Sequence, residues 1–140
     1  DLPYADEYFD AIISIDSYQY FGREEGVADE KIAPLLKKGG KLAIVVPGLI
    51  KDIHDNIPPE MLLSWNPEDI ETLRSPEWWR KLFSRSQLLE LEAVGELEGF
   101  YECWDDWLAC NNEYAIGDRK AMEGGAGKYM DLVYIIAAKK

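Results

Sequence analysis

Two short runs of aliphatic and β-branched residues constrain this chain more than any other feature: Tyr8-Phe9-Asp10-Ala11-Ile12-Ile13-Ser14-Ile15 and Lys41-Leu42-Ala43-Ile44-Val45-Val46. Each has the length of a strand and too few polar residues for one that faces water, the pattern of strands buried in parallel sheets. Between them Ala28, Ile32, Leu35 and Leu36 recur at helical spacing, which predicts a helix from Arg23 to Leu36. Lys37-Lys38-Gly39-Gly40 supplies a cationic last turn and a glycine stop. Strand, helix and strand over residues 8–46 form one crossover unit, a connection that is right-handed with parallel strands in nearly all sheets. An α/β fold follows.

The remaining chain adds shorter signals. Leu2-Pro3-Tyr4-Ala5-Asp6-Glu7 reads as a turn into the first strand, and residues 52–59 as a polar loop. Asn66-Pro67-Glu68-Asp69 and Ser75-Pro76-Glu77 each combine an N-cap, a first-turn proline and acids, so two short helices are expected to start there. Leu89-Glu90-Leu91-Glu92 alternates toward Val94 and predicts a third strand, with a helix as the alternative because Ser84 and Gln87 also spell a capping box. Trp104, Trp107 and Leu108 suggest a helix and residues 118–123 another, before Gly124-Gly125-Ala126-Gly127 breaks the chain. Tyr129 to Ala138 is the last strand.

Charge and cysteine content narrow the partners. A formal net charge of -12 works against a phosphate backbone or an anionic bilayer, both of which reward Lys and Arg. Small neutral or cationic substrates are expected, with no nucleic acid and no membrane. Cys103 and Cys110 have neither metal-site nor redox-pair spacing and are expected to be reduced thiols of a cytoplasmic protein. No apolar run is long enough to span a bilayer.

Leu2-Pro3-Tyr4, then Phe9-Asp10 opening a strand, then Leu36-Lys37-Lys38-Gly39-Gly40-Lys41-Leu42 opening the next, form an ordered set. It resembles the second half of class I S-adenosylmethionine-dependent methyltransferases, where a Leu-Pro-aromatic turn, a Phe-Asp strand and a Leu-Lys-x-Gly-Gly strand follow in that order. The resemblance implies the C-terminal half of a Rossmann-like sheet, strands 4-5-7-6 of that family with the last strand antiparallel, plus a helical, lid-like insertion over residues 98–128. It implies S-adenosyl-L-methionine as cofactor and methyl transfer to a small-molecule acceptor. The Gly-rich turn that cradles the donor, the ribose-binding acid and the adenine-contacting segment belong to the other half. None of the glycines here stands in that strand-turn-helix context. The chain starts at Asp1 and enters a strand within ten residues, so it is expected to be a fragment of a longer protein, inactive alone. A bare edge on the first strand, at Ala11, Ile12 and Ile13, would then pair with the missing half or with a second copy in a homo-oligomer.

Methyl transfer is an in-line displacement that chiefly needs positioning and water exclusion, sometimes with proton removal. By the resemblance the end of the first strand faces cofactor and substrate. That assigns Ile15, Asp16, Ser17 and Gln19 to the cofactor, and Asp16 and Tyr20 to catalysis. Asp16 would orient or deprotonate a substrate, or else merely cap the following turn. Tyr18 and Tyr20 would face a cation through their rings, with core packing as the alternative. His54 is placed with the substrate, against the plainer reading of an exposed loop histidine. Asp16 with Asp55-Asn56 is similar to the metal ligands of catechol-type O-methyltransferases, but the pair lies too far into the loop, and no metal is expected. Asp16-Ser17-Tyr18 lacks the prolines of nucleic-acid amino-methylating enzymes. Trp104 and Trp107 are expected to line the substrate pocket, whereas Trp78, Trp79, Leu82 and Phe83 at helical spacing are expected in the core. The alternative from another class is a non-catalytic binding or regulatory module with a half-Rossmann sheet.

Overall fold

The computed structural model describes residues 2–140. Four strands, β1 (Phe9–Ile15), β2 (Leu36–Leu49), β3 (Leu89–Glu96) and β4 (Met130–Lys139), form one sheet in the order β1-β2-β4-β3. β1 and β2 are parallel, with Ile12 opposite Leu42; β4 runs antiparallel to both of its neighbours, β2 and β3. The final strand thus lies between the second and third, as expected for this half-sheet.

Alternation along β2 decides which face is closed. Leu42, Ile44 and Val46 are fully buried beside Val133, Ile135 and Ala137 of β4. Helix α3 (Pro76–Phe83) packs Trp79 and Phe83, four residues apart, onto that face. Its start is fixed as the sequence indicates: Ser75 Oγ accepts the Trp78 N–H at 3.2 Å and donates to Asp52 Oδ2 at 2.6 Å. Helix α2 (Pro67–Ile70) begins with a reciprocal capping box between Asn66 and Asp69. The opposite sheet face is open over much of its area, with Ile13 70% and Ile15 69% exposed. Among the described residues β1 pairs on one side only, through β2.

The crossover departs from expectation. In place of one helix from Arg23 to Leu36 there is α1 (Tyr18–Phe21), then a π-helical turn at Ala28–Ile32 and a 3₁₀ turn at Ala33–Leu35. Two causes are visible: Gly26 takes φ +92, and Pro34 removes a backbone donor inside the expected span. Ile32, Ala33, Leu35 and Leu36 are buried regardless. Nor do Lys37 to Gly40 end a helix. They bulge from the start of β2, because Phe9 pairs with Leu36 but Ala11 with Lys41. Lys37 Nζ closes this bulge on Asp10 at 2.8 and 3.0 Å, and its hydrogen bond and charge hold the Asp10 carboxyl below its usual value. A Cβ on Gly40 would meet the Lys37 carbonyl at 2.8 Å, so glycine is needed there.

The alternating segment before Val94 is strand, not helix. Between β3 and β4 stand α4 (Phe100–Ala109) and α5 (Glu113–Glu123). Asn112 caps α5 through the Ala115 N–H at 2.9 Å, and Arg119 ties α5 back to the Leu108 and Cys110 carbonyls at 2.9 and 3.1 Å. Beneath the pair lies a second apolar cluster of Leu49, Met61, Ile70, Leu73, Ala121 and Met130. Among the described residues no helix is long and apolar enough to cross a membrane, and Cys103 and Cys110 are free and exposed.

Candidate functional site

β1 ends in a residue with an uncommon backbone. Asp16 has φ +52, in the left-handed region that aspartate tolerates better than most side chains. Its N–H still donates to the Val45 carbonyl at 2.8 Å, so the ladder with β2 holds to this residue and the chain then turns. Asp16 Oδ1 accepts from Gln19 Nε2 at 2.8 Å. Gln19 is only 1% exposed, and its Oε1 is buried without a partner. Such an oxygen costs about 1–3 kcal/mol when left unpaired, so a donor group offered to it from the adjacent cleft would be favoured.

That cleft, of about 980 Å³, opens at the carboxyl ends of β1 and β2 and runs under α4 and α5. Its far wall is aromatic: Trp104 and Trp107 from α4, Tyr114 from α5 and Trp65 from the loop before α2. Trp65 and Trp104 make a corner, with centroids 6.1 Å apart and planes at 58°. Asp118 of α5 fixes the wall, because Oδ1 accepts the Trp65 indole N–H at 2.7 Å and Oδ2 that of Trp107 at 2.9 Å. One carboxylate therefore orients two rings that come from different segments. At the near wall partial burial, and then the carboxylates of Asp16, Asp118 and Asp69, push the Tyr20 phenol up. Tyr20 remains protonated at neutral pH and can donate a hydrogen bond, but it is no general base there.

Of the residues singled out in the sequence, Ile15, Asp16, Gln19, Tyr20, Trp104 and Trp107 line this one cleft. Three others do not. Tyr18 is 1% exposed and packs edge-on against Phe21 at 5.1 Å and beside Trp79 and Phe83, so it belongs to the core under α3 and not to a substrate site. Two positions further along α1, Tyr20 faces the cleft instead. Ser17 is exposed outside the cleft lining, where its Oγ shares a hydrogen bond with Ser14 Oγ at 2.9 Å. His54 Nε2 donates to the Ile70 carbonyl at 3.1 Å, a contact that ties its loop to α2 instead of presenting the ring to the cleft.

Sequence reasoning missed Asp118, Asp69, Glu113 and Tyr114. Asp118 meets Trp65 across 53 positions of chain, and no local pattern announces such a contact. The spacing of Glu113, Tyr114, Gly117 and Asp118 along one helical face was the signal available.

No family model and no curated protein matches the sequence. Solved structures match the fold closely. Geranyl diphosphate C-methyltransferase from Streptomyces coelicolor A3(2), solved with Mg2+, geranyl diphosphate and S-adenosyl-L-homocysteine, superposes at TM-score 0.69 and 14% identity over 100% of this chain and 50% of that one. A geranyl diphosphate methyltransferase in complex with SAM gives 0.65 and 16% over 100% and 54%. The [4+2]-cyclase SpnF gives 0.63 and 15% over 99% and 53%. This chain therefore has the fold of the C-terminal half of a class I methyltransferase, and spans about half the length of the structures it matches.

Proposed function

We propose that this chain is the acceptor side of an S-adenosylmethionine-dependent methyltransferase acting on a small molecule, the donor being held largely by a preceding half-sheet of a longer protein. The observation that carries the reading is the cleft at the carboxyl end of the parallel strands, where open α/β sheets bind their ligands. It joins a strained Asp16 and an unsatisfied Gln19 to an aromatic wall held by two helices.

Bound there, the cofactor supplies an electrophilic methyl group on a sulfonium. Ile15, Asp16 and Gln19 are the residues of this chain that would hold it, with the free Gln19 Oε1 as acceptor for one of its N–H or O–H groups. Asp16, one oxygen engaged by Gln19, keeps the other to orient an acceptor or receive its proton. Tyr20 stays neutral and donates a hydrogen bond. α4 and α5 act as the cover that excludes water, a role that suits a long connection between two strands. The open edge of β1 pairs with the preceding half of the sheet or, in its absence, with a second copy.

Because one structure of this fold is a cyclase, the test must read methyl transfer itself. The polypeptide extended upstream by its own coding sequence is incubated with S-adenosylmethionine and a panel of small acceptors, and products are followed by mass spectrometry. A methylated product, lost or strongly reduced in Asp16→Asn, is expected. Donor binding with no product from any acceptor would favour a non-catalytic binding module.

A further inference from the structure

Resting on the reading of the cleft as an acceptor site, we infer that the acceptor carries a cationic nitrogen group. The lining supplies four carboxylates, Asp16, Asp69, Glu113 and Asp118, and no lysine, arginine or histidine. Three of the four, Asp16, Asp69 and Asp118, act together on the Tyr20 phenol, so their fields converge in one region instead of being spread over the rim. An anionic acceptor such as a diphosphate would meet repulsion here, without a side chain to offset it.

The aromatic wall points the same way. Trp65, Trp104, Trp107, Tyr20 and Tyr114 bring five ring systems to one cleft, and Trp65 and Trp104 meet at a corner, with planes at 58°. Rings set at a corner around a desolvated onium or ammonium group are the recurring solution for binding such cations. Asp118 serves both parts of the device. Its hydrogen bonds to the indoles of Trp65 and Trp107 hold the rings and bring its negative charge to their N–H edges, which polarises the π faces toward a cation. Gln19 Oε1, buried and unpaired beside Asp16, adds a polar acceptor to the same acidic lining. Asp118 is on this account a positioning residue for the cage.

The inference is tested on the 140-residue chain by ¹H–¹⁵N NMR of the indole N–H signals, with choline as the cation, 3,3-dimethylbutan-1-ol as its uncharged isostere and inorganic pyrophosphate as the anion. Choline is expected to shift the Trp65 and Trp107 indole signals saturably, at least ten-fold more tightly than the isostere, while pyrophosphate leaves them in place. Asp118→Asn and Trp104→Leu should each weaken choline at least ten-fold with little effect on the isostere, and Trp78 and Trp79 signals, from α3, report whether either variant still folds. If a variant does not fold, the ratio of choline to isostere in the unsubstituted chain decides alone. Equal affinity for the two, or preference for pyrophosphate, would overturn the inference. So would equivalent shifts produced by S-adenosylmethionine alone, since the cage would then be the donor's. The two proposals fail separately: an extended chain that methylates only uncharged acceptors refutes the cationic acceptor and leaves methyl transfer standing, whereas choline binding in a chain that never transfers a methyl group does the reverse.

Discussion

Asp131 lies in β4 directly opposite Gly48, 5% exposed, and neither of its carboxylate oxygens has a hydrogen-bond partner. Burial first, and then the neighbouring charge of Glu96, push its pKa up from 3.8 to about 7. The folded state therefore keeps a proton that the unfolded chain has released, and between those two values unfolding gives up that proton. Stability from this site is full below pH 4, declines as pH rises, and is gone above pH 7. The rise from 3.8 to about 7, at about 1.4 kcal/mol per tenfold change in proton affinity, sets a ceiling of ~4 kcal/mol. Glu96 is exposed, so water reaches the pair, and about half of that, ~2 kcal/mol, is the expected size. Asp131→Asn keeps the shape and never ionises. Urea denaturation of both proteins from pH 4 to pH 8 should show nearly equal stability at the acid end and a variant more stable by about 2 kcal/mol at pH 8. A difference that does not change with pH, or a variant weaker at pH 8, would refute the argument that a buried, unpaired carboxylate is being forced to ionise.

Three further outcomes follow from the packing. Gly48→Ala would set a Cβ 2.5 Å from the Arg74 carbonyl and 2.6 Å from Val133 Cγ2, and should lower stability by about 1–3 kcal/mol, read as a drop in Tm by calorimetry; an unchanged Tm would mean that the strand and the turn before α3 separate freely. Ser75→Ala removes both the α3 cap and the bond to Asp52 and should cost about 1–2 kcal/mol, checked by urea denaturation, with no loss contradicting the capping role. Light scattering on this chain should reveal self-association that Ile13→Lys, at a position 70% exposed on β1, weakens; a monomer at all concentrations would count against the open strand as a pairing surface.

The sheet is legible because its evidence is local and periodic: residues 8–15, 41–46 and 129–138 carry the apolar, β-branched pattern of buried strands and β1, β2 and β4 form over them, with Tyr129 closing a 3₁₀ turn before β4, and Asn66 and Ser75 announce their helices by capping chemistry. In the crossover, apolar spacing points to one helix, but Pro34 and Gly26 decide the backbone and break it into short turns. At the site, the sequence singles out the residues after β1 as a group, but which of them face the cleft is set by α1: Tyr18 and Tyr20, two positions apart on it, take opposite sides, Tyr18 buried and Tyr20 68% exposed beside the cleft. The Asp118 clamp on Trp65 and Trp107 was beyond reach, since it is created by tertiary packing alone.

Calorimetric titration of S-adenosylmethionine into this chain and into the same chain preceded by its upstream coding sequence bears most directly on the half-sheet account. No measurable heat of binding from the shorter protein and micromolar affinity from the longer one is the predicted result. Tight binding by the 140-residue chain alone, or none by either, would contradict it.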